Sequence, residues 1–170
     1  MLKYIFIVNG HPKSGKTTFE DILDDYLPSM KYSSVTNIKR MARLCGYDDN
    51  IKSEKDRKFL SDLKKLTTEY SDYAFEGIKQ TVQYFHNQDR YRVLFIDIRE
   101  PEEIERAVKA FGAKTVFIEN VKAEPVVSNS SDARVTEYPY DYIVKNNGTL
   151  EELRIEVVRF ISQVIWDEVG

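Results

Sequence analysis

The chain has 170 residues, a length that suits one compact domain with its own core. Twenty-five basic against 28 acidic residues leave a net charge of −3, so no global positive field draws in nucleic acid or an anionic membrane surface. The apolar runs all fall far short of the roughly 20 residues a membrane-spanning helix needs, and the start of the chain lacks a secretory pattern. One cysteine, Cys45, leaves no disulfide framework and no thiolate zinc cluster, which fits a reducing, cytoplasmic setting.

Leu2–Val8 is a near-continuous run of β-branched and aromatic residues, the pattern of a strand covered on both faces. Phe19, Ile22, Leu23, Tyr26 and Leu27 then recur at helical spacing until Pro28. A short second strand is expected over Tyr32–Val35. A helix should follow, with Ile38, Met41, Ala42 and Cys45 on its buried face and Gly46 at its end. Ser53 and Asp56 have the spacing of a capping box, opening a helix whose apolar face holds Phe59, Leu60, Leu63 and Leu66. Further helix is expected from about Glu69 to His86. Residues 37–86 thus make a mostly helical excursion longer than a crossover requires.

Arg92–Ile98 is the next buried strand, Pro101–Phe111 a helix ending at Gly112, and Lys114–Glu119 a fourth strand. Residues 120–138 carry loop composition, with Pro125 and the run Ser128, Asn129, Ser130 and Ser131, and a loop of that length reads as a lid. Tyr140–Lys145 is a fifth strand. Thr149 and Glu152 cap the last helix, whose Leu150, Leu153, Val157, Ile161 and Val164 are expected to face inward. Gly46, Gly112 and Gly148 fall at ends and turns where a left-handed residue fits. Strands alternating with helices imply an α/β fold, a parallel sheet with helices on both faces.

Gly10-His11-Pro12-Lys13-Ser14-Gly15-Lys16-Thr17 satisfies G-x-x-x-x-G-K-[ST] between a predicted strand and a predicted helix. Such a P-loop turns backbone N–H groups and a helix N-terminus toward phosphate oxygens. Gly10, Lys13, Ser14, Gly15, Lys16, Thr17 and Thr18 are the expected nucleotide contacts, with Lys16 on the terminal phosphates and the Thr17 hydroxyl on Mg²⁺. Asp97, closing the apolar run Val93–Ile96, is the expected metal carboxylate, with a helix cap as the alternative. Arg99 follows on the same strand end, where it reaches a second phosphate or rests on the surface. His11 reads as a spacer. Tyr70, Tyr73, Phe75, Tyr84 and Phe85 read as core, with base stacking as the alternative. Lys39, Arg57 and Lys58 are candidate contacts for an acceptor phosphate, with a solvated helix face as the alternative for Arg57 and Lys58. The chain has no Asn-Lys-x-Asp base-reading motif and is short for a helicase-type ATPase, which leaves a small kinase.

With these residues in view the chain resembles the phage-type deoxynucleoside monophosphate kinases, relatives of adenylate kinase. The likeness runs through Lys13-Ser14-Gly15-Lys16, Asn37-Ile38-Lys39 before Gly46, Asp97-x-Arg99-x-Pro101-x-Glu103, and the closing Asp141-x-x-Ile-x-Asn146-x-Gly148-Thr149 stretch. Thr17 stands where many of these kinases carry Asp, and Asn120 where they carry an arginine. The resemblance implies a three-layer P-loop NTPase fold with sheet order 2-3-1-4-5. It also implies ATP and Mg²⁺ as cofactors and phosphoryl transfer to a nucleoside or deoxynucleoside monophosphate, with Lys16, Asp97, Arg99 and Arg134 catalytic. Thr17 and Asp97 would hold the metal, Lys39 and Arg99 the acceptor phosphate, and Lys122 with Arg134 would close from the lid. Partners are then small nucleotides rather than nucleic acid or membrane, with a homodimer left open. A kinase for another phosphorylated metabolite, similar to phosphomevalonate kinase, and a protein that binds ATP without transferring phosphate are the other readings.

Overall fold

The computed structural model describes residues 2–50, 53–123 and 135–169, with side chains described as far as 164. The chain divides into two compact units, Met1–Lys31 with Gln88–Gly170, and Tyr32–Asn87.

The first unit is built on strand β1 (Tyr4–Asn9), buried at all six positions. β1 runs parallel to β3 (Val93–Asp97) on one side and to β4 (Lys114–Glu119) on the other, and β4 runs parallel to β5 (Tyr142–Lys145). With β2 (Ser29–Ser33) at one edge, the strand order is β2-β3-β1-β4-β5, as expected. β2 starts three residues earlier than predicted. Its half-buried edge position gives no apolar alternation to read, and its start follows directly on Pro28, whose carbonyl accepts from Arg92 N at 2.7 Å.

One face of the sheet is covered by helix α1 (Lys16–Asp24) and the last helix of the chain, Leu150–Val169. Tyr4, Phe6 and Val8 of β1 pack there with Phe19, Ile22 and Leu23 of α1 and Leu153, Val157, Phe160 and Val164 of the last helix. The Phe160 ring meets Phe6 at 5.2 Å, Phe19 at 5.4 Å and Tyr142 at 5.3 Å, in edge-on geometries that aromatic quadrupoles favour. The alternate residues Ile5, Ile7, Leu94 and Ile96 are equally buried on the other face, and the helix Pro101–Phe111 buries Ile104 and Ala107. Leu150, expected to face inward, is 56% exposed, because it is the first residue of its helix and lies before the packed turns. Gly148 does not take the left-handed conformation expected of it, whereas Gly46 and Gly112 do.

The second unit packs α2 (Thr36–Leu44), α3 (Glu54–Ser71) and α4 (Tyr73–His86) on one another. The Ser53–Asp56 capping box forms as predicted, and the continuous helix expected past Glu69 breaks at Asp72, which takes a left-handed φ of 54°. Cys45 is exposed rather than buried, since it is the C-terminal cap of α2 and no longer follows the helical period. Leu66 is 64% exposed and α3 buries no residue completely, so its apolar stripe is only half covered. Of the helical aromatics, Phe75 and Phe85 are core, while Tyr70, Tyr73 and Tyr84 are exposed. Among the described residues no helix is long and apolar enough to cross a membrane.

In order along the chain, the helix Pro101–Phe111 is α5 and Leu150–Val169 is α6. At the start of α6, Thr149 Oγ1 accepts from Glu152 N, and the Glu152 carboxylate accepts from Thr149 N at 2.6 Å and from its hydroxyl at 3.0 Å. Thr149→Ala should therefore cost about 1 kcal/mol. The Thr149 backbone N–H, and then its hydroxyl, hold the Glu152 carboxyl below its ordinary value. A lowered carboxyl stabilises the fold fully above its unfolded value, and that contribution is lost as pH falls through the lower, folded value. Glu152→Gln is thus expected to unfold at lower urea than the parent at about pH 7, and the difference should shrink as pH falls below the ordinary carboxylate range.

Candidate active site

The C-terminal end of β1 delivers the chain directly into the phosphate loop. Gly10 has φ of 153° and Gly15 of 96°, and Lys13, at 64°, is one of two non-glycine residues with positive φ among the described residues. A Cβ on Gly10 would lie 2.5 Å from Ser14 Oγ and 2.6 Å from the Ile118 carbonyl oxygen, and one on Gly15 would collide with the Asn146 amide. Only glycine lets the loop close this tightly.

Ser14 is 1% exposed, and its hydroxyl has no hydrogen-bond partner among the described residues. Ser14 N donates to His11 O at 3.0 Å, which curls the loop, and α1 begins immediately after Gly15. Lys16 turns its ammonium back onto the loop, 2.8 Å from Gly10 O and 3.2 Å from His11 O. An unsatisfied buried hydroxyl, a glycine-lined concavity, a helix N-terminus and a cation form a donor set that fits a polyphosphate. His11 packs edge-on against Phe117 at 6.0 Å, in keeping with a spacer.

Asp97 is the last residue of β3 and the first exposed one after four buried positions. The helix-cap alternative does not hold, because the residue capping α5 is Glu100. The Asp97 charge acts on Glu20, three residues beyond Thr17 on α1. Burial pushes the Glu20 carboxyl up against the pull of Lys31, 3.1 Å away, and the Asp97 charge adds to the upward shift. One hydroxyl and one carboxylate are the protein share Mg²⁺ commonly takes, the remainder coming from water and phosphate. Thr17 and Asp97 fit that share, and among the described residues no cluster of three metal-ligating side chains offers a full protein cage.

Thr18 is exposed on the first turn of α1, Arg99 is half-buried one residue past buried Ile98, and Lys122 is exposed in the turn after β4. Lys39 belongs to the second unit, where Asp49 pairs with it at 3.2 Å and also with Arg43. Lys58 pairs with Asp62 on an exposed helix face. Arg134 lies outside the described residues.

Three polar residues had no role assigned from the sequence. Asn9, 1% exposed, donates to Ile98 O at 2.8 Å. Asn146 donates to Ser14 O at 2.8 Å while its own backbone N–H bonds Glu119 O at 2.7 Å, which clasps the loop from the end of β5. Glu20 is the third. Asn9 left a signal in the sequence, an amide closing an apolar run beside Gly10, and Asn146 stood in the closing motif without an assigned contact. Asp141 is structural, accepting from Thr115 N at 2.7 Å and Thr115 Oγ1 at 2.9 Å to bind β4 to the start of β5.

A scan against protein-family models and a search of the curated proteins find no match. Among solved structures the chain is similar to a dephospho-CoA kinase from Campylobacter jejuni, with 19% identity over 96% of this chain and 98% of that one, at a TM-score of 0.54. It is also similar to a shikimate kinase from Aquifex aeolicus, with 16% identity over 95% of this chain and 98% of that one, at a TM-score of 0.50. The fold is that of the P-loop kinases. At these identities the likeness is one of fold. Within the P-loop kinase fold, the phosphate loop and the β3 carboxylate stand at the C-terminal edge of the parallel sheet, where open α/β sheets place their ligands.

Proposed function

We propose that this chain transfers the γ-phosphoryl group of ATP to a nucleoside or deoxynucleoside monophosphate. The observation that carries the reading is the phosphate cradle itself, with its two positive-φ glycines, the Ser14 hydroxyl that finds no partner among the described residues, and Lys16 held on loop carbonyls at the start of α1. Phosphoryl transfer asks the protein for positioning and charge rather than covalent chemistry. In this reading the backbone N–H groups of residues 13–17 bind the ATP phosphates. Lys16 exchanges the Gly10 and His11 carbonyls for the transferring oxygens. Thr17 and Asp97 hold Mg²⁺, which when bound offsets phosphate charge.

Arg99 takes the acceptor phosphate, because its planar fork matches phosphate oxygens in pairs. Arg99→Ala should raise the acceptor KM at least about tenfold while ATP affinity stays nearly constant. Calorimetric titration of each nucleotide separately checks this, and equal loss of both would make Arg99 a donor-side residue.

A coupled ADP-release assay across the common NMPs and dNMPs tests the whole reading. A kinase of another small metabolite is the second reading, supported by similar structures named for dephospho-CoA and shikimate, so both compounds belong in the acceptor panel. ATP binding without ADP release on any acceptor would make the chain a nucleotide binder.

A further inference from the structure

We propose that Asn9 and Tyr140 are positioning residues that hold the strand end carrying Asp97 and Arg99 in register with the phosphate loop. The kinetic part of this inference rests on the kinase reading above; the geometric part does not.

Asn9 is the last residue of β1 and precedes Gly10 directly. Its backbone is registered with Phe117 of β4, but the pairing of β1 with β3 runs only from Tyr4–Val93 to Ile7–Ile96. Two residues on, the connection between these strands is the Asn9 side chain, whose Nδ2 donates to Ile98 O at 2.8 Å. Ile98 lies between Asp97 and Arg99, so one amide ties the residue before the loop to the carbonyl between the metal carboxylate and the acceptor arginine.

The same amide acts on the Tyr140 phenol, lowering it against the upward push of burial. That hydroxyl donates its single proton to Val135 O at 2.7 Å, which anchors the Tyr140 ring. The Tyr140 ring packs on Phe117 at 5.1 Å, and Phe117 meets His11 inside the loop. Tyr140 therefore braces the loop through its ring, which its hydroxyl holds in place.

Packing alone does not ask for an amide here. The preceding positions on this face of β1, Ile5 and Ile7, are apolar, and a buried amide is costly unless it is bonded. What the amide adds is direction. In-line phosphoryl transfer is sensitive to displacements of about 1 Å, so a fixed distance between loop and strand end is felt in turnover and metal response before it is felt in ATP grip.

The test compares Asn9→Leu, which keeps the branching at Cγ and removes the donor, with Tyr140→Phe, which removes one oxygen. ATP binding is measured by calorimetry in EDTA and in Mg²⁺, and kcat and KM on the best acceptor. In EDTA both variants are expected to bind ATP within about threefold of the parent. The strengthening of ATP binding by Mg²⁺ should fall at least about fivefold in Asn9→Leu and about twofold in Tyr140→Phe. The kcat of Asn9→Leu should drop at least about tenfold with KM for ATP within about threefold.

A folded Asn9→Leu with the parent's Mg²⁺ response and kcat overturns the proposal. So does a loss of ATP binding that is equal in EDTA and Mg²⁺, which would make the role structural, or a parent whose ATP binding ignores Mg²⁺. If Asn9→Leu does not fold, Tyr140→Phe decides by the same two readouts. A parent with no turnover on any acceptor would sink the kinase reading, and the Mg²⁺-linked binding comparison would still decide the positioning role.

Discussion

Lys16→Ala is expected to lower turnover on the order of 10²-fold or more while the protein stays folded. The Lys16 ammonium rests on the carbonyls of Gly10 and His11, at the loop rather than in the hydrophobic core, so its removal opens no core cavity. Phosphate oxygens gain or shift negative charge as the phosphoryl group moves, and a cation placed against them lowers the transition state more than the ground state. The loss should therefore fall on kcat more than on ATP affinity. Steady-state kinetics on a variant whose melting curve matches the parent's checks this. Unchanged turnover there would remove Lys16 from the chemistry.

Asp97→Asn should raise the Mg²⁺ concentration needed for half-maximal turnover by about tenfold or more, since an amide of the same shape no longer carries the charge a hard cation requires. The packing of β3 should be untouched, because Val93–Ile96 are buried and Asp97 is the exposed residue that follows them. A second readout comes from Glu20. Its carboxyl is pushed up by burial and, to a lesser degree, by the Asp97 charge, so its titration by NMR should move down in the variant. A Mg²⁺ curve that does not move would place the metal carboxylate elsewhere.

The candidate site was legible in the sequence where its information is local. The phosphate loop is one continuous stretch, and the conformations it needs are supplied by Gly10 and Gly15 and by the helix that follows. Asp97 was legible because four apolar residues before a carboxylate mark a buried strand reaching the sheet edge. Both capping boxes were legible for the same reason, since their partners lie three residues apart. Local reading failed where burial depends on what lies above an element. Cys45 and Leu66 keep helical spacing in the sequence, yet one follows the last turn of its helix and the other lies on a helix that buries nothing completely.

The sequence by itself determined the alternation of strands and helices, the phosphate loop and its lysine, and the carboxylate that ends β3. Each is encoded by residues within one turn or one strand of each other. Tertiary structure alone decided that Asn9 holds Ile98, 89 residues away, and that Asn146 clasps Ser14 across 132 residues. It alone set Glu20 under the field of Asp97. Parallel strands bring together residues that are remote in the chain, and a hydrogen bond made that way leaves no periodicity in the sequence from which it could be read.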